Sequence, residues 1–96
     1  MTDELRARLR ALESLSYASE CMLVHANGEA KDELRGLARK LRKDAAFDFP
    51  EAREVATLVA RVPNLMGSGR DGEAASTLGR ATRGVWEPVL EQLKAG

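Results

Sequence analysis

The sequence predicts an all-α fold, an antiparallel four-helix bundle that forms one domain over residues 1–96. The apolar residues are 15 Ala, 13 Leu and 6 Val with no Ile, and unbranched side chains favour helix over strand. Apolar residues recur at helical spacing in four segments separated by turn-forming residues. A chain of 96 residues forms one small core, which excludes the large nucleotide-binding and barrel enzymes.

The first predicted helix covers residues 2–27. Thr2 is a suitable N-cap, and Asn27 and Gly28 are predicted to end the helix because both tolerate the left-handed conformation. At about 100° per residue, one broad face of this helix carries the side chains that we expect in the core. These side chains are Leu5, Leu9, Leu12, Leu15, Met22, Leu23 and Ala26.

The second and third helices are predicted over residues 29–46 and 50–62. Asp48 followed by Glu51 resembles a capping box for the third helix, and Pro63 is predicted to end that helix. The apolar stripe of the second helix is Ala30, Leu34, Leu37, Ala38, Leu41 and Ala45. The stripe of the third is Ala52, Val55, Ala56, Leu58, Val59 and Val62.

The fourth helix is predicted over residues 73–94, after a flexible stretch that covers residues 66–72. Residues 67–72 match the dinucleotide-binding pattern G-x-G-x-x-G, but that site needs a strand on each side. Helical segments flank the pattern here, so the sequence favours a connector. Pro88 removes a hydrogen bond inside the fourth helix, which predicts a kink or a split that would create a fifth helix.

The single Cys and single His predict that the protein has no catalytic site, no cofactor and no metal. Cys21 and His25 lie four residues apart, but a closed zinc site needs four ligands and an open one three. One Cys cannot close a disulfide within the chain, which favours a reducing, cytoplasmic location. Residues 1–10 lack the features of an export signal, and no uncharged stretch is long enough to span a membrane. We therefore expect a protein that is not an enzyme.

The 15 basic and 15 acidic side chains give no net charge, which argues against generic binding to nucleic acid or to a membrane. A local basic face is nevertheless predicted on the second helix, opposite its apolar stripe. Such a row can bind phosphates or an acidic protein surface. It is also typical of a solvated face, with Asp32, Glu33, Asp44 and Asp48 near enough in sequence to pair with it. The face consists of Lys31, Arg35, Arg39, Arg42 and Lys43.

A second apolar cluster is predicted on the first helix, roughly opposite its leucine stripe. It consists of Tyr17, Cys21 and Val24. A helix with two apolar sides is either covered by other helices or offers one side to a partner. The cluster is therefore either buried within the bundle or an oligomer face, for example of a homodimer.

Residues 37–56, LARKLRKDAAFDFPEAREVA, resemble the central helical hairpin of histidine phosphotransfer (HPt) domains. Those four-helix bundles relay phosphoryl groups between sensor kinases and receiver domains through a His-x-x-Lys-Gly motif. Arg39 stands at the position of the histidine, Arg42 at that of the lysine and Lys43 at that of the glycine. The turn is one residue shorter, and an arginine cannot accept the phosphoryl group. The resemblance implies an inactive relative that docks without catalysing transfer.

The predicted function is therefore that of a non-enzymatic regulatory or adaptor protein. It would bind an acidic surface of another protein through the basic face of the second helix, and a receiver-like or kinase signalling protein is the partner that the resemblance implies. Two alternatives remain at this point. The chain could be a self-assembling helical structural subunit, or a module that binds nucleic acid or phosphate through the same basic face.

Overall fold

The computed structural model describes residues 2–95, and these residues form four α-helices, one short 3₁₀ helix and no strand. The helices are α1 (Asp3–Leu23), α2 (Asn27–Lys43), α3 (Ala52–Gly67) and α4 (Asp71–Ala95), and the 3₁₀ helix covers Ala45–Phe47 between α2 and α3. The all-α prediction is confirmed. The molecule measures 42 × 26 × 20 Å.

One hydrophobic core joins the four helices, with α3 packed against α2 and α4, and α1 packed against α2, α4 and the 3₁₀ helix. The core is built mainly from Ala, Leu and Val because the buried sides of α2, α3 and α4 carry these residues at helical spacing. Its buried members are Ala7, Ala11, Leu15, Ala18, Leu34, Leu37, Ala38, Leu41, Phe49, Ala52, Val55, Ala56, Val59, Val62, Ala74, Leu78, Ala81 and Val85.

The predicted core face of α1 is only partly correct. Leu15 is buried, and Leu12 and Met22 are partly buried against the core, whereas Leu23 is 80% exposed. The buried side of α1 instead carries Ala7, Ala11 and Ala18. Small side chains let two helix axes approach closely, so the alanine face forms the contact and the leucines lie beside it.

The turn between α1 and α2 falls earlier than predicted, because His25 and not Gly28 takes the left-handed conformation, with φ of 60°. The His25 N–H donates to the carbonyl of Met22 at 3.2 Å, and the Ala26 N–H donates to the carbonyl of Cys21 at 2.7 Å. These two bonds are those of a Schellman motif, which satisfies carbonyls at a helix end. Asn27 and Gly28, predicted to end α1, therefore begin α2.

The loop between α3 and α4 repeats the same motif, with Gly69 in the left-handed conformation at φ of 73°. The Gly69 N–H donates to Met66 at 3.2 Å and the Arg70 N–H donates to Leu65 at 2.9 Å. Residues 66 and 67 therefore belong to α3, and only residues 68–70 form the connection. The predicted flexible stretch over residues 66–72 is correspondingly too long.

Two prolines lie inside helices, Pro63, which was predicted to end α3, and Pro88, which was predicted to kink or to split α4. α3 continues through Pro63, whose ring is fully buried, and burial offsets the one hydrogen bond that proline removes. α4 is a single helix through Pro88. The predicted split into a fifth helix is therefore wrong. On the turn before Pro88, Val85 lies in the core and its carbonyl accepts a further hydrogen bond from Arg8 at 2.8 Å.

The segment between α2 and α3 also differs from the prediction. α2 ends at Lys43 and not at residue 46, because the Asp44 carboxylate accepts the Ala46 N–H at 2.9 Å and starts the 3₁₀ helix. The predicted capping box is not formed. Glu51 is the N-cap of α3 without a capping hydrogen bond from its side chain, because its carboxylate pairs with Arg8.

Candidate functional site

The predicted basic face lies along α2, opposite the leucines that anchor the helix. Leu34, Leu37 and Leu41 are buried in the core, and helical periodicity carries the intervening basic residues to the outer side. Arg35, Arg39, Arg42 and Lys43 are exposed and Lys31 is half-buried. The structure thus brings the five residues together on one side of α2.

The acidic residues predicted to neutralise this face do not do so. Among residues 2–95, none of the five basic side chains lies within 4 Å of a carboxylate. The Glu33 carboxylate accepts a hydrogen bond from the Ser14 hydroxyl at 2.5 Å, and the Asp44 carboxylate caps the 3₁₀ helix. The cationic groups of the basic face are therefore free to contact a partner.

The C-terminal end of α2 is held in place by the 3₁₀ helix. The Arg10 guanidinium donates to the carbonyl of Ala46 at 2.9 Å, which joins α1 to this segment. The Lys40 ammonium lies 5.5 Å from the centroid of the Phe47 ring, a cation–π contact. The last turn of α2, with Arg42 and Lys43, is thus a supported end of the helix rather than a fraying one.

A shallow cavity of about 420 Å³ lies between α1 and α2 beside the basic face. Its lining includes Arg39 at one end and three acidic side chains, Glu29, Asp32 and Glu33, at the other. Gly36 lies in the same lining, and a Cβ added there would meet no atom within 4 Å. A partner surface can therefore approach the backbone closely next to Arg39.

The second predicted cluster is divided between a buried member and two exposed ones. Tyr17 and Val24 are exposed, but Cys21 is buried and its thiol is free. Burial within the bundle, the first of the two alternatives, therefore holds for Cys21, and an oligomer face that includes Tyr17 and Val24 stays a prediction. A side-chain hydrogen bond with Cys21, followed by the Coulomb interaction with the same residue, raises the pKa of Tyr17 above its ordinary value of 10.0.

Arg8 is a buried charged residue that sequence reasoning did not single out. It is 2% exposed, and its guanidinium donates to the carbonyl of Val85 at 2.8 Å and to the Glu51 carboxylate at 2.6 Å. It also lies 4.8 Å from the centroid of the Phe49 ring. Its position on the alanine face, one turn after Glu4, is the only signal in the sequence, since Val85 and Glu51 are distant in the chain.

Through one side chain, Arg8 connects three elements. They are α1 itself, α4, and the turn that precedes α3. Its Nε lies 3.6 Å from the Glu4 carboxylate and makes no hydrogen bond with the described residues. A buried arginine bound in this way fixes the relative positions of the elements that it contacts. We therefore interpret Arg8 as a structural residue that supports the hairpin carrying the basic face.

Within residues 2–95, no three side chains of the types His, Cys, Asp or Glu are close enough to hold a metal ion. In the same part of the chain, no helix combines the length and the apolar content required to cross a lipid bilayer. Comparisons with protein-family models, with curated proteins and with solved structures find no match to this chain.

Proposed function

We propose that the chain is a non-enzymatic regulatory or adaptor protein, an antiparallel four-helix bundle that docks an acidic surface of another protein through the basic face of α2. The observation that carries the proposal is the set of exposed cations on α2 without a carboxylate partner among the described residues. Arginines in such a row can make bidentate contacts with carboxylates.

The class of partner follows from the resemblance to HPt domains. The matching hairpin has Leu41 and Phe49 buried and Arg39 exposed, a pattern compatible with a docking surface centred on α2. Because Arg39 replaces the phosphoryl-accepting histidine, binding would occur without phosphoryl transfer. A receiver-like domain, whose acidic surface complements this face, is the partner that we propose.

The test compares the wild-type chain with a triple charge-reversal variant against a panel of receiver domains, by titration calorimetry. Arg35→Glu, Arg39→Glu and Arg42→Glu together should weaken binding by at least about 100-fold, because like charges opposed across an interface cost several kcal/mol. The matched control reverses Arg6, Arg61 and Arg70, which are exposed outside the basic face. The control variant undergoes the same change in net charge as the triple variant and should retain most of the wild-type affinity.

The two variants distinguish docking at the basic face from a general effect of lost positive charge or of misfolding. Far-UV circular dichroism and the melting temperature should be nearly unchanged in both, since the six arginines are exposed. If no receiver domain binds, or if the control loses as much affinity as the triple variant, the proposal is wrong. Binding of arbitrary DNA with a steep dependence on salt would favour a nucleic-acid module instead.

A further inference from the structure

Members of the basic face lie at two different cavities. Arg39 lines the shallow cavity between α1 and α2, whereas Arg42 lies three residues further on, about 60° around the helix axis. Arg42 lines a larger cavity of about 680 Å³ at the turn between α2 and α3. Arg53, in the first turn of α3, lines the same cavity and is exposed. An arginine of α3 thus joins an arginine of the basic face at one cavity.

Part of the wall of this cavity is apolar and belongs to the core. Leu41, Phe49 and Ala52 line the cavity and are buried, and Pro50 lines it as an exposed ring. Apolar side chains of this kind contact the methylene groups of a ligand. The charged end of such a ligand must be bound by the charged members of the lining.

The charged members of the lining differ in whether they already have a partner. Asp3 and Glu4 each lie within 4 Å of an arginine of α1. Arg42 and Arg53 have no carboxylate within 4 Å among residues 2–95, and in the same part of the chain Asp48 has no cation within that distance. The cavity thus holds two unpaired cations and one unpaired carboxylate, a balance that favours an anionic ligand.

The start of α3 favours the same sign of ligand. Ala52 and Arg53 line the cavity from the first turn of this helix, and the N-terminal end of a helix carries a partial positive charge. The N-cap residue, Glu51, makes no capping hydrogen bond with its side chain, so the first turn lacks its usual side-chain acceptor. A negative group in the cavity therefore interacts favourably with the helix end as well as with the two arginines.

We propose that this cavity binds the carboxylate of a Glu or Asp side chain of the acidic partner, held between Arg42 and Arg53. The inference rests on the proposed function, because the partner is the protein that docks on the basic face of α2. Arginine binds carboxylates through two parallel hydrogen bonds, and arginines on two different helices fix the position of the carboxylate relative to both. The docking surface therefore extends from α2 onto α3, and Arg53 is a residue that determines which acidic surface fits.

The first test compares two exposed arginines of α3 by titration calorimetry with the receiver domain that binds the wild-type chain most tightly. Arg53→Glu should raise the dissociation constant at least about tenfold, because it places a like charge beside the bound carboxylate. Arg61 lies about two turns further along the same helix and does not line the cavity, so Arg61→Glu should stay within about twofold. Equal losses would overturn the proposal. If the triple variant of α2 loses affinity and Arg53→Glu does not, docking on α2 stands and the cavity proposal fails; if no receiver domain binds, both fail.

The second test determines the sign of the charge that enters the cavity. Asp48 is exposed, and Asp48→Asn should lower the dissociation constant about twofold, because it removes a like charge beside the bound carboxylate. A basic side chain of the partner in the cavity would reverse both results. Weaker binding by Asp48→Asn together with tighter binding by Arg53→Glu would therefore refute the assignment of an anion.

The third test asks whether the two arginines bind the same carboxylate. Arg42→Ala and Arg53→Ala should each weaken binding, and the double variant should lose less affinity than the product of the two separate losses, because the two residues share one contact. Separate losses that simply multiply would contradict the shared carboxylate. Both arginines are exposed, so the far-UV circular dichroism of these variants should match that of the wild type.

Discussion

Replacement of Arg8 should destabilise the protein more than replacement of any exposed arginine. Arg8→Ala removes a charge-assisted hydrogen bond to the carbonyl of Val85 and the pairing with Glu51. A hydrogen bond to a charged group contributes about 1.5–3 kcal/mol. The Glu51 side chain is 31% exposed, so water can solvate the carboxylate that is left behind, and the ion pair itself adds only about 1 kcal/mol.

The loss of the packed arginine stem adds a further contribution, and the total expected decrease in the free energy of unfolding is about 3 kcal/mol, near the lower limit for breaking a buried ion pair. For a domain of this size, that decrease corresponds to a fall in melting temperature of about 15 °C. Arg8→Lys keeps the charge but can reach only one of the two partners, and should lose about half as much.

Urea denaturation followed by far-UV circular dichroism measures these differences. Arg6→Ala is the matched control, because its side chain is 55% exposed and pairs with Asp3 only at 3.7 Å. It should change the stability by less than about 0.5 kcal/mol. If Arg8→Ala unfolds at the same urea concentration as Arg6→Ala, then Arg8 does not hold the three elements together.

Three further substitutions test the backbone of the fold. His25→Gly should raise the free energy of unfolding by about 0.5–1 kcal/mol, because glycine adopts a positive φ without strain; a lower melting temperature would refute the Schellman assignment. Gly36→Ala should stabilise α2 by about 0.5–1 kcal/mol, since its Cβ enters open space. Gly84→Ala should raise the free energy of unfolding by at least about 0.5 kcal/mol less than Gly36→Ala does, because the added Cβ would lie 3.3 Å from the Val55 side chain. Equal melting temperatures of the two variants would contradict this.

The number and the type of the elements could be predicted because they depend on local periodicity. Leu34, Leu37 and Leu41 recur at helical spacing and are buried, as the pattern of α2 indicates. The face that α1 buries could not be predicted in the same way. Leucines are more apolar than alanines, but the burial of Ala7 and Ala11 depends on how closely the neighbouring helices approach, which is a property of the whole fold.

Helix ends were harder to predict for a related reason. Gly69 takes the left-handed conformation that its residue type favours, whereas His25 takes it although Asn27 and Gly28 lie only two and three residues further on. The prediction that Pro63 ends α3 also failed, because the buried ring offsets one missing hydrogen bond, and Pro88 does not split α4. Boundaries are thus decided by small energy differences that local sequence does not contain.

The candidate site shows the same division between local and distant information. The side of α2 on which Arg35, Arg39 and Arg42 lie follows from helical geometry alone. The absence of acidic partners for these arginines among residues 2–95 does not follow from helical geometry, because Glu33 binds Ser14 of another helix. The role of Arg8 depends on Glu51 and Val85, which lie 43 and 77 residues away, and no local pattern identifies such contacts.

The central claim is that the basic face of α2 is the docking surface, and nuclear magnetic resonance tests it most directly. The isotope-labelled chain is titrated with the receiver domain that binds it most tightly, and the shifted backbone amides are mapped on the structure. We predict that the largest shifts lie between residues 35 and 43 and disappear in the triple charge-reversal variant. Largest shifts on α1 and α4, with α2 unaffected, would contradict docking at the basic face.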